Sequence, residues 1–188
     1  MVNMYQIIKN FNKILGKGDS FTQASPIQIN KLKTLFGNEV SKVIEFYSKY
    51  QPYNVPMLNS YVQLIDIDNI IEENTNAEPG KFLSKFGVFV FALTVGGNVL
   101  CINTNDTKNG DASVLIADAN FCSYNEFYKC IEIGIAPEEV FEQLEENEIL
   151  PLNYSNIIKC LRKIEDSFME FMLKLSSNEY EDIEEYLE

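Results

Sequence analysis

Residues 86–105 read FGVFVFALTVGGNVLCINTN, and this stretch decides the fold. Two apolar, β-rich runs, Val88–Leu93 and Val99–Ile102, flank Gly96-Gly97-Asn98. Such runs joined by a glycine-rich turn predict an antiparallel hairpin, because glycine reaches the positive φ values of tight turns without strain. Nearly every position in both runs is apolar, so both faces are expected to be covered and the hairpin to lie at the centre of the molecule.

Working outward, Met4–Leu15 predicts a helix with Ile7, Ile8, Phe11, Ile14 and Leu15 on one stripe. Ser25-Pro26 is a start signal, a serine N-cap with proline in the first turn, for a helix that Gly37 ends. A third helix is expected over Glu39–Tyr50, with Val40, Val43, Ile44 and Tyr47 facing inward, closed by Gln51-Pro52. Tyr61–Ile65 reads as a strand, and Asp66 or Asp68 as the cap of a short helix through Glu73. The polar stretches Asn74–Lys81 and Asn103–Asp111 read as loops, with Ser113–Ala117 a third sheet strand between them and the rest of the chain. Tyr124–Ile133 fits a helix, and Ala136-Pro137-Glu138-Glu139 opens a short acidic one to about Glu146. From Ser155 or Asn156 the spacing of Ile157, Leu161, Ile164, Phe168, Phe171, Met172 and Leu175 predicts one long helix. The acidic end, NEYEDIEEYLE, is expected to fray or to form one more helix.

The chain of 188 residues suits one domain with a sizeable core, and its 46% apolar and 23% charged residues place it among globular proteins. No apolar run is long enough for a membrane span, and MVNMYQIIKNFNKILG lacks the basic head and unbroken apolar run of a secretory signal. A cytoplasmic protein is therefore expected, with four reduced and mostly buried cysteines. The net charge is −13 and uneven: residues 1–49 hold seven lysines against Asp19, Glu39 and Glu45. An acidic body repels nucleic acid and attracts basic proteins.

The residues that catalysis commonly needs are scarce. Histidine is absent, which excludes Ser-His and Cys-His nucleophiles. Cys101, Cys122, Cys130 and Cys160 form no C-x-x-C pair, so zinc has no clustered ligands, and no metal or cofactor is expected. Phosphate-binding glycine loops are missing, and Gly96-Gly97 lacks the third glycine and following helix. Read as a calcium loop from Asn105, the next polar stretch puts Ile116 where a bidentate glutamate belongs. Asp66 and Asp68 lie two apart, but nothing marks a leaving-group site beside them. What remains is the profile of a binding module.

Three stretches, in this order and spacing, resemble the SUKH superfamily of bacterial immunity proteins and a fungal cell-wall assembly regulator. ASPIQINKLKTLFGNEVSKVIEFYSKYQP (24–52) is similar to that family's two opening helices. FVFALTVGGNVLCINTND (89–106) with SVLIADANF (113–121) is similar to its central strands around a Gly-Gly-Asn turn. EDSFMEFMLKL (165–175) is similar to its closing Ser-Phe-x-x-Phe helix, carried here by Ser167, Phe168 and Phe171. The departures are an added N-terminal helix (1–20) and a longer helical connection (122–154).

The resemblance implies an α+β fold, a curved antiparallel sheet built around the central hairpin and flanked by helices at both ends of the chain. It also implies no catalysis. The expected function is an intracellular immunity protein that neutralises a polymorphic toxin, a nuclease for example, by direct binding. The expected partner is a basic toxin domain, with neither nucleic acid nor membrane involved. Position in loops and charge nominate Glu72, Glu73, Asp106, Asp111 and Asp118 for contact. The alternative is a protein-interaction module in cell-wall or stress regulation using the same sheet. A small-molecule binder or unfamiliar enzyme is the third reading, and it requires a deep polar pocket with convergent carboxylates.

Overall fold

The computed structural model describes residues 3–145 and 148–187. In chain order the elements are α1 (Met4–Leu15), β1 (Phe21–Thr22), α2 (Pro26–Phe36), α3 (Ser41–Tyr50), β2 (Gln51–Pro52), β3 (Val62–Leu64), α4 (Ile67–Thr75) and α5 (Gly80–Leu83). A 3-10 turn at Ser84–Phe86 then leads into β4 (Val88–Thr94), β5 (Val99–Lys108) and β6 (Asp111–Ala117). There follow β7 (Cys122–Asn125), β8 (Cys130–Ile133), α6 (Glu138–Phe141), α7 (Tyr154–Cys160), β9 (Arg162–Glu165), α8 (Phe168–Ser176) and a 3-10 helix at Ile183–Leu187. The fold is α+β. Its centre is an open five-stranded sheet in the order β3-β4-β5-β6-β9, antiparallel throughout.

The hairpin β4–β5 sits in the middle of that sheet, as its sequence requires. Apart from one register shift, its strands alternate between two cores, because successive side chains of a strand point to opposite faces. Phe89, Phe91, Leu100 and Ile102 enter the larger core, beneath α1, α2, α3, α4 and α8. Val88, Val90, Val99 and Cys101 enter the smaller one, closed by Phe82, Phe121, Ile133, Leu150 and Ile157. A register shift between Val90 and Ala92 lets Phe91 and Ala92 both face the larger core. The turn uses one positive φ, at Gly97 (83°), and Gly96 serves by lacking a Cβ, which would lie 2.5 Å from the Glu184 carboxylate. That carboxylate accepts from Gly96 N (3.0 Å), Asn98 Nδ2 (2.7 Å) and the Thr94 hydroxyl, so the 3-10 helix closing the chain is pinned to the turn.

The outer edge of β4 is finished by a side chain. β3 pairs only with Ala92–Thr94. Beyond it, the buried Asn74 amide of α4 donates to Val90 O and accepts from Val90 N, both at 2.8 Å, and so stands in for one strand residue. Phe91 O takes the Tyr47 hydroxyl at 3.3 Å. Both bonds satisfy backbone groups that burial would otherwise make expensive.

Local signals place most of the larger-core helices where the sequence predicts them. Ser25 and Gln28 form a reciprocal capping box ahead of α2. Asp66, and not Asp68, caps α4, accepting from Asn69 N at 2.9 Å. Ser167 caps α8, and the two phenylalanines after it are fully buried, Phe168 lying 5.3 Å from Phe91 and 5.6 Å from Phe46 between ring centroids. The third helix begins at Ser41, two residues later than expected.

Four expectations are corrected. The Asn103–Asp111 stretch is mostly strand: β5 runs on to Lys108, and Asn109-Gly110 alone makes the turn to β6. Asn103, Thr107 and Lys108 pair with β6, and a register shift lies between Asn103 and Thr107. The Asn74–Lys81 stretch holds the last turn of α4 and the start of α5. Tyr124–Ile133 is not helical but spans most of the hairpin β7–β8, so the connection 122–154 is only partly helical. There the Asn125 carboxamide accepts from Phe127 N and Tyr128 N (2.9 and 3.0 Å), a local bond that competes with a helix. The long helix from Ser155 is α7, β9 and α8 in succession. Leu161 is extended, and Arg162–Glu165 adds to the sheet beside β6, so pairing at an open edge overrides helical periodicity. The acidic helix after Pro137 covers Glu138–Phe141, while its expected end at Glu146 lies outside the described residues.

Candidate functional site

The five nominated carboxylates do not converge. Glu72 and Glu73 are neighbours on α4. Burial, and then the Glu72 charge, push the Glu73 carboxyl above its ordinary range. Asp106 is committed to Lys163 at 2.8 Å, and that ammonium holds its carboxyl below the usual value. Asp111 is buried, its carboxylate accepting from Ala112 N (3.0 Å) and the Ser167 hydroxyl (2.7 Å), so it braces the start of α8 and presents no surface charge. Asp118 lies at the opposite end of β6 from Asp111, about 20 Å away at strand rise. Its carboxylate accepts from Asn120 N at 2.7 Å. Among the described residues, helices or loops pack over both faces of the sheet.

The connection 122–154 presents exposed aromatic and aliphatic side chains. Its base is fixed. Ile133 N donates to Leu150 O (2.8 Å), Leu152 N to Ile131 O (2.9 Å) and Gly134 N to Phe121 O (2.9 Å), while Phe121, Cys122, Ile133 and Leu150 are buried in the smaller core. Its tip is exposed. Phe127, at the turn between β7 and β8, is 84% accessible, with its ring 4.9 Å from that of Tyr128 in an edge-to-face pair. Asn125 orders this turn, bonding Glu132 at 2.9 Å with its amide besides the two bonds it accepts. Ile135 and Phe141 are exposed further on.

The same connection holds eight glutamates against one lysine, Lys129, which pairs with Glu126 at 3.0 Å. Among the described residues, Glu138, Glu139, Glu142, Glu145 and Glu148 make no ion pair. Asp118 joins Glu138 and Glu139 around a cleft of about 380 Å³ that also holds Arg162, the chain's single arginine. Of the nominated residues, Asp118 alone therefore adjoins this acidic surface. Glu138, Glu139 and Glu142, with Phe127, are the candidates that loop position did not select. The signal available for them is the absence of any lysine or arginine between Lys129 and Lys159.

The two most deeply buried thiols are held away from the thiolate form. All four cysteines are free, and burial pushes Cys101 up and Cys122 up to about 12, away from the thiolate that reactivity needs. Among the described residues no cluster of acids and cysteines is arranged to hold a metal ion, and no helix is long and apolar enough to cross a membrane. No family model matches the chain, and neither a curated protein nor a solved structure matches it.

Proposed function

We propose that this chain is a SUKH-like immunity protein, acting in the cytoplasm without catalysis, that neutralises a basic toxin domain by binding it directly. The observation that carries this reading is the uncompensated acid of the connection 122–154 beside exposed aromatic and aliphatic side chains. A nuclease-type toxin needs a basic cleft for phosphate. Glutamates without cation partners are free to fill such a cleft, and their field accelerates association by about 10-fold or more at low salt. An exposed ring such as Phe127 supplies the apolar anchor that charge alone lacks. The resemblance supports the same reading, because its three stretches supply α2 and α3, the central hairpin and the Ser167-capped closing helix.

Toxin domains encoded beside this chain's gene, each expressed with and without it, test the proposal. The expected result is growth arrest relieved by this chain, with a complex whose formation weakens as salt rises. Neighbouring products that do not arrest growth, or arrest that persists in its presence, would overturn it.

A further inference from the structure

A groove away from the acidic connection is lined by charge of the opposite sign. It runs between α2 and α4, with a volume of about 690 Å³. Leu35, Ile71 and Phe89 form its apolar bed, and Ile27, 71% accessible at the start of α2, stands at its rim. In a chain of net charge −13, both charged residues lining it are lysines, Lys31 and Lys85. Lys31 is shared with Asp68 at 3.4 Å, and Asp68 also accepts from Gln28 at 2.8 Å. Lys85 makes no ion pair among the described residues; its ammonium rests 5.5 Å from the centre of the Phe82 ring.

The protons of the groove's hydroxyls are already committed. Thr34 donates to Asn30 O (3.0 Å), Thr75 to Ile71 O (2.7 Å) and Ser84 to Asn74 O (2.9 Å). A ligand with polar groups along its length would leave them poorly partnered, at a loss of affinity. An unbranched apolar body with one terminal anion asks no hydrogen bond of these hydroxyls and leaves the exposed Asn30 amide to water. Scale points the same way. Ten residues line the groove, fewer than the roughly 20–30 a side of a stable protein interface, and its volume falls within the roughly 300–1,000 Å³ of small-molecule sites.

We propose that this groove binds a single-chain amphiphilic carboxylate of the fatty-acid class, its chain along Leu35, Ile71 and Phe89 and its carboxylate on Lys85. This site stands apart from the toxin-binding reading, and neither depends on the other.

Amide NMR spectra of the full chain, titrated with dodecanoate below its aggregation concentration, test the proposal. Dodecanol and butyrate are the controls. Saturable shifts confined to α2, α4 and Ser84–Lys85 are expected, with at least about fivefold weaker binding of dodecanol and of butyrate. Lys85→Glu is expected to weaken dodecanoate about tenfold. Ile27→Ser, at an exposed position that the fold does not depend on, should weaken it severalfold. Dodecanol binding as tightly as dodecanoate, indifference to both variants, shifts centred on Phe127, or no saturable shift would each overturn the proposal.

Discussion

Phe168 and Phe127 carry the same side chain into opposite surroundings. Phe168 is fully buried, ringed by Phe46, Tyr47 and Phe91 where α8 meets the sheet. Phe127 stands almost wholly in solvent at a hairpin tip whose backbone is nonetheless ordered by Asn125. The exposed ring therefore stands on a turn ordered by its own side-chain bonds. The acids divide in the same way. Asp111, Glu165 and Glu184 are taken up by hydroxyl, amide or ammonium donors of the scaffold, whereas among the described residues Glu138, Glu139, Glu142 and Glu145 make no ion pair. One region spends its side chains on holding the fold and the other keeps them available.

That contrast can be broken most sharply at the two phenylalanines. Phe168→Ala is expected to lower stability by about 3–5 kcal/mol in chemical denaturation, with Phe127→Ala within about 0.5 kcal/mol of the parent. Comparable losses at both sites would erase the distinction. Asn74→Ala sharpens it on the scaffold side. The variant leaves Val90 N and Val90 O unpaired in a buried edge, so a loss of about 2–4 kcal/mol is expected, along with faster amide exchange at Val90. Unchanged exchange there would mean that another group can finish the edge.

Glu184→Ala probes the latch on the Gly96-Gly97-Asn98 turn. Its donors lie nearer solvent, which can replace the carboxylate, so the expected loss is about 1 kcal/mol. The smallest effect concerns Asp106. Lys163 holds its carboxyl below the ordinary value in the folded chain, so the pair contributes stability above the unfolded value of about 3.9, and that contribution disappears as pH falls through the lower, folded value. Half exposure screens the pair, leaving a small difference. Denaturation across this range should show the parent more stable than Asp106→Asn near neutral pH and equal to it in acid. A gap that widens in acid would reverse the sign of the assignment.

The legible parts of the sequence were those where local chemistry and tertiary structure agree. The Gly-Gly-Asn hairpin, the Ser25-Pro26 start and the stripe of α1 each carry their own signal, and each stands at its expected place. The segments misread have an apolar spacing that suits a helix but a partner that only a folded sheet provides. Arg162–Glu165 is the clearest case, since Leu161 and Ile164 keep helical spacing while the open edge of β6 takes their backbone. Asn125 likewise hides a hairpin behind the spacing of Tyr124, Phe127, Tyr128 and Ile131. At the site level, loop position did not reveal which acids the scaffold itself engages. Asp106 and Asp111 sit at loop-like sequence and are consumed by Lys163 and Ser167, pairings formed across more than fifty residues of chain.

The most direct measurement of the central claim is calorimetric binding of the cognate basic domain to two variants of equal charge change. One reverses Glu138, Glu139 and Glu142 to lysine. The other reverses Glu72, Glu73 and Asp106. The account predicts a loss of affinity of about 100-fold or more for the first and less than about fivefold for the second at physiological salt. Equal losses, or a greater loss from the second variant, would contradict the assignment of binding to the connection after β6.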